Sequence, residues 1–159
     1  MKRVLLFFLI YLFSITSTYA NDRDVRLNQL FNELKVNKTN VAANVAQEIW
    51  SLWSTHPTDQ KLTSILDEGS RLVQDRQLNR AISVFSEAIE LDPTWAEAWN
   101  KRATVFYMVG EFQKSQDDID KVLELEKRHF GALAGQGMVN IKLKNYDKAK
   151  RSYQKAQEI

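Results

Sequence analysis

Few side chains in this chain have the types and spacing that catalysis or metal binding requires. The sequence contains no cysteine, which excludes a thiolate nucleophile, a disulfide and a cysteine-ligated zinc ion. Its histidines, His56 and His129, are far apart and form no His-x-x-x-His pair. No serine lies in a Gly-x-Ser-x-Gly elbow, and the adjacent Asp117 and Asp118 do not face each other on a helix. We therefore predict no enzymatic activity, no catalytic residue, no metal site and no cofactor; a carboxylate pair assembled across two helices is the enzymatic alternative.

Three glycines, Gly131, Gly135 and Gly137, have a spacing that invites comparison with a phosphate-binding loop. Their order, Gly-x-x-x-Gly-x-Gly, matches neither the dinucleotide fingerprint nor a P-loop, and no strand pattern precedes it. Gly131 and Gly135 lie one helical turn apart. Two interpretations stay open for them: close packing of helices, or room for the backbone of a partner.

The elements that carry these residues repeat along the chain. Small, aromatic and aliphatic residues recur at a step of 34 residues, and apolar residues between them follow the i, i+3, i+4, i+7 spacing of amphipathic helices. The recurring sets are Gly69, Ala103 and Gly137; Ala81, Ser115 and Ala149; Phe85, Ile119 and Tyr153; and Ala88, Val122 and Ala156.

With this period and these positions, the chain resembles the tetratricopeptide repeat family over residues 62–159. The resemblance implies an all-α fold, an α-solenoid of three tetratricopeptide repeats at 62–95, 96–129 and 130–159. Each repeat has two helices, and the small residues let the paired helices approach closely. Such a solenoid offers a binding surface rather than a reaction centre.

Local signals refine the helix boundaries. Thr94 followed by Glu97 predicts a capping box, and Gly110 suits the left-handed residue that ends a helix. The resemblance places Trp99 at a signature position in the core. Trp95 lies at the junction between two repeats, where we expect partial exposure.

Residues 21–61 precede the first repeat and carry two amphipathic stripes. We predict that they form a capping helical hairpin that covers the first repeat, with a degenerate fourth repeat as the alternative. The apolar positions are Val25, Leu27, Leu30, Phe31 and Leu34 in one stripe, and Val41, Val45, Ile49, Trp50, Leu52 and Trp53 in the other.

Residues 1–20 have the pattern of a secretory signal peptide. Lys2 and Arg3 precede a continuous apolar run, and the small-residue end of the segment predicts cleavage after Ala20. We therefore expect a periplasmic or secreted protein. The alternative is that the segment stays uncleaved as an anchor, which is the one membrane association that we expect. The segments 99–104 and 128–135 also resemble exported bacterial tetratricopeptide proteins.

Charge argues against nucleic acid as a partner. Without Lys2 and Arg3, basic and acidic residues are equal in number. The end of the chain is nevertheless basic and the stretch 117–126 is acidic. Both are interpreted as solvated helix faces, or alternatively as charges that orient a partner.

The resemblance implies that the first helices of successive repeats line a concave groove. Family members that bind acidic chaperone tails use a clamp of Lys, Asn and Arg, which the corresponding positions here lack, so chaperone-tail binding is not implied. The residues that alignment to the family places in the partner-binding groove are Leu66, Ser70, Asn100, Thr104, Tyr107, Met108, Met138 and Ile141.

We therefore predict a non-enzymatic scaffold of the bacterial cell envelope that binds another protein or peptide in this groove. The alternative is a structural solenoid that self-associates into a homo-oligomer. Its contact would be the last helix, where Tyr153, Ala156 and Ile159 form an open apolar edge.

Overall fold

The computed structural model describes residues 22–36 and 40–159, and within them the chain forms eight helices and no strand. The proposed signal peptide lies outside the described residues. Nothing in the described part is a helix with the length and apolar character needed to cross a membrane. The helices are α1 (22–36), α2 (Asn40–Ser54), α3 (Gln60–Gln74), α4 (Leu78–Leu91), α5 (Ala96–Met108), α6 (Phe112–Leu125), α7 (Phe130–Lys142) and α8 (Tyr146–Gln157). The chain divides into two compact units, Met1–Gln60 and Lys61–Ile159.

In the first unit, α1 and α2 bury one apolar stripe each. The ring centroids of Phe31 and Trp53 lie 6.0 Å apart, and those of Trp50 and Trp53 meet edge to face at 5.5 Å. At the surface, Arg26 donates to both carboxylate oxygens of Glu48 at 2.8 and 3.0 Å. The buried residues of the two stripes are Leu27, Leu30, Phe31, Val45, Ile49 and Trp53.

The second unit is an all-α solenoid of three successive helix pairs. From α4 onward each helix packs on the next, and α5 also contacts α7. The buried positions follow the 34-residue step: Ala81, Ser115 and Ala149 are all buried. The buried hydroxyl of Ser115 does not disrupt this packing, because its Oγ donates a hydrogen bond to the Ala103 carbonyl oxygen at 2.7 Å.

A glycine on the first helix of a pair matches an aromatic ring on the second. A Cβ added to Gly69 would lie 2.3 Å from Phe85 Cε1, and one added to Gly137 would lie 2.5 Å from Tyr153 Cζ. Two of the three small positions are therefore glycine because the rings fill the space that a methyl group would need. In the middle pair the ring is replaced by Ile119, and the small residue is Ala103.

The turn inside each pair also repeats. The residue with positive φ is Arg76 (60°), Gly110 (85°) or Lys144 (61°), one at every 34-residue step. In each turn the following residue donates its backbone N–H to the carbonyl five residues back, as Glu111 does to Phe106 at 2.9 Å, which is the Schellman pattern. The prediction for Gly110 is confirmed, whereas the same conformation at Arg76 and Lys144 was not predicted.

Two local predictions are wrong. Thr94 and Glu97 form no capping box: the Thr94 hydroxyl donates to Asp92 Oδ1 at 2.6 Å, and the Glu97 carboxylate is buried against His129. The expected partial exposure of Trp95 is wrong, and Trp99 lies at the edge of the core rather than inside it, packed against two hydrophobic clusters. Trp95 is buried at 4% exposure, whereas Trp99 is half-buried and donates its indole N–H to the Pro93 carbonyl oxygen at 3.0 Å.

Candidate partner-binding groove

A pocket opens between α5 and α7, the first helices of two successive pairs. Its volume is about 80 Å³, enough for one or two side-chain methyl or methylene groups rather than for a whole small molecule. We call it the α5–α7 groove. The residues that line it are Asn100, Ala103, Thr104, Tyr107, Ser115, Ile119, Gly131, Gly135, Met138 and Val139.

Four of the residues assigned to the groove from the sequence meet there: Asn100, Thr104, Tyr107 and Met138. Met108 and Ile141 lie near the carboxyl ends of α5 and α7. Their side chains are exposed, at 40% and 46%, but outside the pocket lining.

The two groove residues assigned to α3 do not join the others. Leu66 is 1% exposed and belongs to the hydrophobic core that includes Phe85 and Ala98. Its side chain is therefore not offered to a partner, which corrects its assignment to the groove. Ser70 is half-buried, and its Oγ donates to the Leu66 carbonyl oxygen at 2.9 Å.

The groove offers apolar surface and few free polar atoms. Thr104 Oγ1 donates to the Asn100 carbonyl oxygen at 3.0 Å, and Asn100 Nδ2 donates to Glu97 Oε2 at 3.0 Å. The Tyr107 ring packs against Phe112 with centroids 5.5 Å apart, which fixes one wall. Of the ten described residues in the lining, none carries a charge.

The glycines of α7 have different roles in the structure. Gly137 serves close packing against Tyr153, as described above. Gly135 lines the groove, and a Cβ there would meet Ile119 Cδ1 at an ordinary 3.5 Å. Helix packing therefore does not require glycine at position 135, and the backbone of α7 lies open at this point.

A buried acid and imidazole, which the sequence did not suggest, join α5 to the start of α7. The side chains of Glu97 and His129 are both fully buried, with His129 Nε2 3.0 Å from Glu97 Oε2. His129 Nδ1 accepts the Ala132 backbone N–H at 3.1 Å, so Nε2 carries the ring proton and donates it to the carboxylate. Lys101 Nζ lies 3.3 Å from the other oxygen, Oε1. These contacts link α5 to the N-cap of α7, the two helices that form the groove.

Both histidines accept a backbone N–H three residues ahead. His129 is the N-cap of α7 and accepts from Ala132, whereas His56 lies in the turn before α3 and its Nδ1 accepts the Asp59 backbone N–H at 2.9 Å. Within residues 22–36 and 40–159, no three His, Asp or Glu side chains are grouped so as to hold a metal ion.

The turn between α6 and α7 is tied by an ion pair. Glu126 accepts the Arg128 backbone N–H at 2.9 Å and its guanidinium at 2.9 and 2.8 Å. Burial of Glu126 acts to raise its pKa, but the hydrogen bonds and the charge of Arg128 outweigh it, so the pKa of Glu126 is lowered.

Comparison with known proteins agrees with this architecture. A model of the tetratricopeptide repeat family matches residues 131–159. A TPR repeat-containing protein of Rhizobium etli is 35% identical over 115 residues, which cover 72% of this chain and 56% of the relative. Among solved structures, the second TPR domain of Spaghetti, bound to an HSP90 peptide, superposes with a TM-score of 0.60 at 20% identity over 62% of this chain and 91% of that one. The chain is a tetratricopeptide repeat protein.

A second relative and a second solved structure extend the likeness along the chain. Tetratricopeptide repeat protein 36 of Caenorhabditis elegans is 31% identical over 106 residues, covering 67% of this chain and 58% of the relative. The crystal structure of MamA has a TM-score of 0.59 at 19% identity and covers 91% of this chain and 82% of that one. This tetratricopeptide repeat protein therefore spans little more than half the length of the two sequence relatives.

The family sets the general mode of action. The tetratricopeptide repeat fold supports protein–protein interaction, and its members are generally non-enzymatic binding modules. In this member, the α5–α7 groove is an opening between first helices of adjacent repeats.

Proposed function

We propose that the chain is an interaction scaffold that holds a neutral peptide segment of another protein in the α5–α7 groove. The observation that carries the proposal is an open pocket with no charged lining, next to bare backbone at Gly131 and Gly135. A small apolar side chain of the partner fills the pocket between Tyr107 and Met138. Both residues suit such contacts, since an aromatic ring provides rigid area and methionine adapts its shape.

The chemistry of the lining distinguishes this groove from one suited to an acidic tail. The peptide bound by the second TPR domain of Spaghetti, SRMEEVD, contains three acidic residues. The α5–α7 groove has no cationic side chain in its lining with which to neutralise them. We therefore propose a neutral, partly apolar segment as the ligand of this chain.

Affinity capture from cell-envelope extract, with the partners compared between variants, tests the proposal. Tyr107→Ala and Met138→Ala should each weaken capture of the groove partner by about 1–2 kcal/mol, roughly 5- to 30-fold in affinity. Met108→Ala is the matched control, because Met108 is as exposed as Met138 but lies outside the pocket. If Tyr107→Ala and Met138→Ala capture the partner as well as the parent and Met108→Ala do, the groove is not the binding site.

We also propose export as the setting of this function. The support is the basic start, the apolar run and the small-residue end of residues 1–20. Amino-terminal sequencing of protein recovered from each cell fraction tests it. A protein in the cytoplasm that still begins at Met1 contradicts the proposal, and an exported one that begins at Met1 indicates the uncleaved anchor.

Self-association through α8 is a second candidate function, favoured by the apolar groups that this helix leaves accessible. Tyr146 is 64% exposed, and Tyr153, Ala156 and Ile159 are half-buried. Sedimentation at rising concentration should detect dimers or larger species if α8 is the contact. A strict monomer at every concentration excludes this candidate.

A further inference from the structure

The second helices of adjacent repeats are bridged by a polar side chain from the first helix between them. Arg102 on α5 donates to Ser86 on α4 at 2.9 Å and, through Nε and Nη2, to both Asp118 oxygens on α6 at 2.8 Å. One repeat later, Gln136 on α7 donates to Asp120 on α6 at 3.0 Å and accepts from Ser152 Oγ on α8 at 2.8 Å. All three members of each bridge are related by the 34-residue step.

The space beside the Arg102 bridge is occupied by a large side chain. The Arg102 guanidinium lies 5.0 Å from the centroid of the Trp99 ring. The indole of Trp99 reaches from α5 to the Pro93 carbonyl oxygen, 3.0 Å from Nε1. A large aromatic side chain with a stacked cation therefore spans the space between α5 and the turn that follows α4.

The equivalent space in the next repeat is open. Leu133 stands at the position of Trp99, and Lys127 at that of Pro93. The shorter Leu133 and Gln136 leave a cleft of about 560 Å³ between α6, α7 and α8, which we call the α6–α8 cleft. Its lining shares no residue with the α5–α7 groove.

The rim of the α6–α8 cleft is basic. Four basic side chains line it, Lys127, Lys148, Arg151 and Lys155, against two acidic ones. The acidic ones are already engaged: Asp120 accepts from Gln136 and lies 3.8 Å from Lys148 Nζ, and Glu124 pairs with Lys121 at 3.0 Å. Within the part of the chain that the structure describes, Lys127, Arg151 and Lys155 form no ion pair.

We propose that the α6–α8 cleft is a second binding site, and that its ligand is an acidic peptide with one tryptophan side chain. The indole takes the place that Trp99 has one repeat earlier, over Gln136 and toward the turn at Lys127. Carboxylates beside the tryptophan pair with Arg151 and Lys155 at the rim. The size of the cleft and its charge both favour this ligand, since an indole fills the apolar part and the unpaired cations attract carboxylates.

Synthetic peptides and the 159-residue chain test the proposal by isothermal titration calorimetry. The probe is an acetylated, amidated hexapeptide with one tryptophan flanked by glutamates. The first control replaces the tryptophan with glycine, and the second replaces the glutamates with glutamines. We expect the probe to bind more weakly as salt is added, because the rim charges are exposed, and we expect each control to bind at least about tenfold more weakly than the probe.

A triple variant that copies the preceding repeat should fill the cleft. Leu133→Trp, Gln136→Arg and Ser152→Asp introduce the side chains that Trp99, Arg102 and Asp118 provide one repeat earlier. This filled variant should stay helical, because the same side chains fit that repeat, and it should bind the probe at least about tenfold more weakly. Arg151→Gln with Lys155→Gln should weaken binding several-fold and flatten its salt dependence. Tyr107→Ala, in the other groove, should not change it.

Three results would overturn the assignment: no binding of the probe at millimolar concentration, equal binding of the glycine control, or undiminished binding by a helical filled variant. Equal binding of the glycine control would reduce the cleft to a basic surface without a pocket for the ring. Should the filled variant fail to fold, the Arg151→Gln and Lys155→Gln pair decides: unchanged affinity and salt dependence then contradict the proposal.

Discussion

Replacing Gly69 with alanine tests the rule that couples a glycine on the first helix of a repeat to an aromatic ring on the second. The added Cβ would lie 2.3, 2.7 and 2.8 Å from three carbons of the Phe85 ring. Phe85 is fully buried, so its ring has no empty space into which it can move. The two helices must therefore separate, or the ring must leave its rotamer.

Two opposing effects set the expected magnitude. In an unconstrained helix, alanine is more stable than glycine by about 1 kcal/mol. Overpacking of a well-filled core costs about 1–3 kcal/mol, and a contact this deep with a ring that cannot move belongs near the upper end. We therefore expect Gly69→Ala to lower the free energy of unfolding by about 1–2 kcal/mol.

The middle repeat provides the compensating change. Ala103 and Ile119 occupy the positions of Gly69 and Phe85 there. Phe85→Ile alone should cost about 1–2 kcal/mol because it removes buried ring volume. Combined with Gly69→Ala, it reproduces the middle pair, so the double variant should be more stable than the sum of the single changes by at least about 1 kcal/mol.

Urea titration followed by far-ultraviolet circular dichroism measures all four proteins of this cycle. Gly135→Ala is the matched control, since its Cβ would meet only Ile119 Cδ1, at 3.5 Å. It should raise the free energy of unfolding by about 0.5–1 kcal/mol. The reasoning is refuted if Gly69→Ala is as stable as the parent, or if the effects of the two changes simply add.

Three further predictions concern buried and paired groups. His129→Ala leaves the buried Glu97 carboxylate without its imidazole donor and should cost roughly 3 kcal/mol in a urea titration; an unchanged midpoint would contradict the pairing. Glu126→Gln should destabilise the protein at neutral pH. A carboxyl group whose pKa is lowered in the folded state stabilises that state at pH values above its ordinary pKa of 4.5. That difference from the parent should shrink as the pH falls below 4.5, and a difference that is constant with pH would contradict it. Trp95→Ala should cost roughly 3–5 kcal/mol and Trp99→Ala clearly less, and the reverse order would restore the sequence-based assignment of the core.

Positions that are small or apolar in every repeat were predictable from the sequence. Those of Ala81, Phe85 and Ala88 recur at the 34-residue step, and these three residues are fully buried. Their period indicates the fold because equivalent positions face one another in every copy. The turn at Gly110 was predictable for a similar reason, since glycine adopts positive φ without strain. Arg76 and Lys144 give no such signal, and only the register of the repeat imposes their conformation.

Pairs that occur once could not be predicted in this way. Glu97 and His129 stand where the preceding repeat has Thr63 and Trp95, so no period links them, and they lie 32 residues apart in sequence. A charged residue at the start of a helix also has a simpler explanation as a cap, which misdirected the interpretation of Glu97. The partial exposure of Trp99 could not be predicted either, because it depends on a contact that occurs once. The family pattern assigns this position to the core, whereas the indole here bridges α5 to the Pro93 carbonyl oxygen.

The candidate sites lie where the third repeat departs from the second. On one side of α7, glycines 131 and 135 stand at the positions of Glu97 and Lys101, and the α5–α7 groove opens there. Elsewhere on the same helix, Leu133 and Gln136 stand at the positions of Trp99 and Arg102, and the α6–α8 cleft opens. Both openings thus have one cause, which is that α7 has smaller side chains than α5 on the same repeat framework. Aligning the repeats of a chain with one another, rather than with a family pattern, therefore locates candidate binding surfaces. Where a position has a large side chain in one repeat and a small one in the next, a space is left that the backbone, held by the neighbouring repeats, does not close.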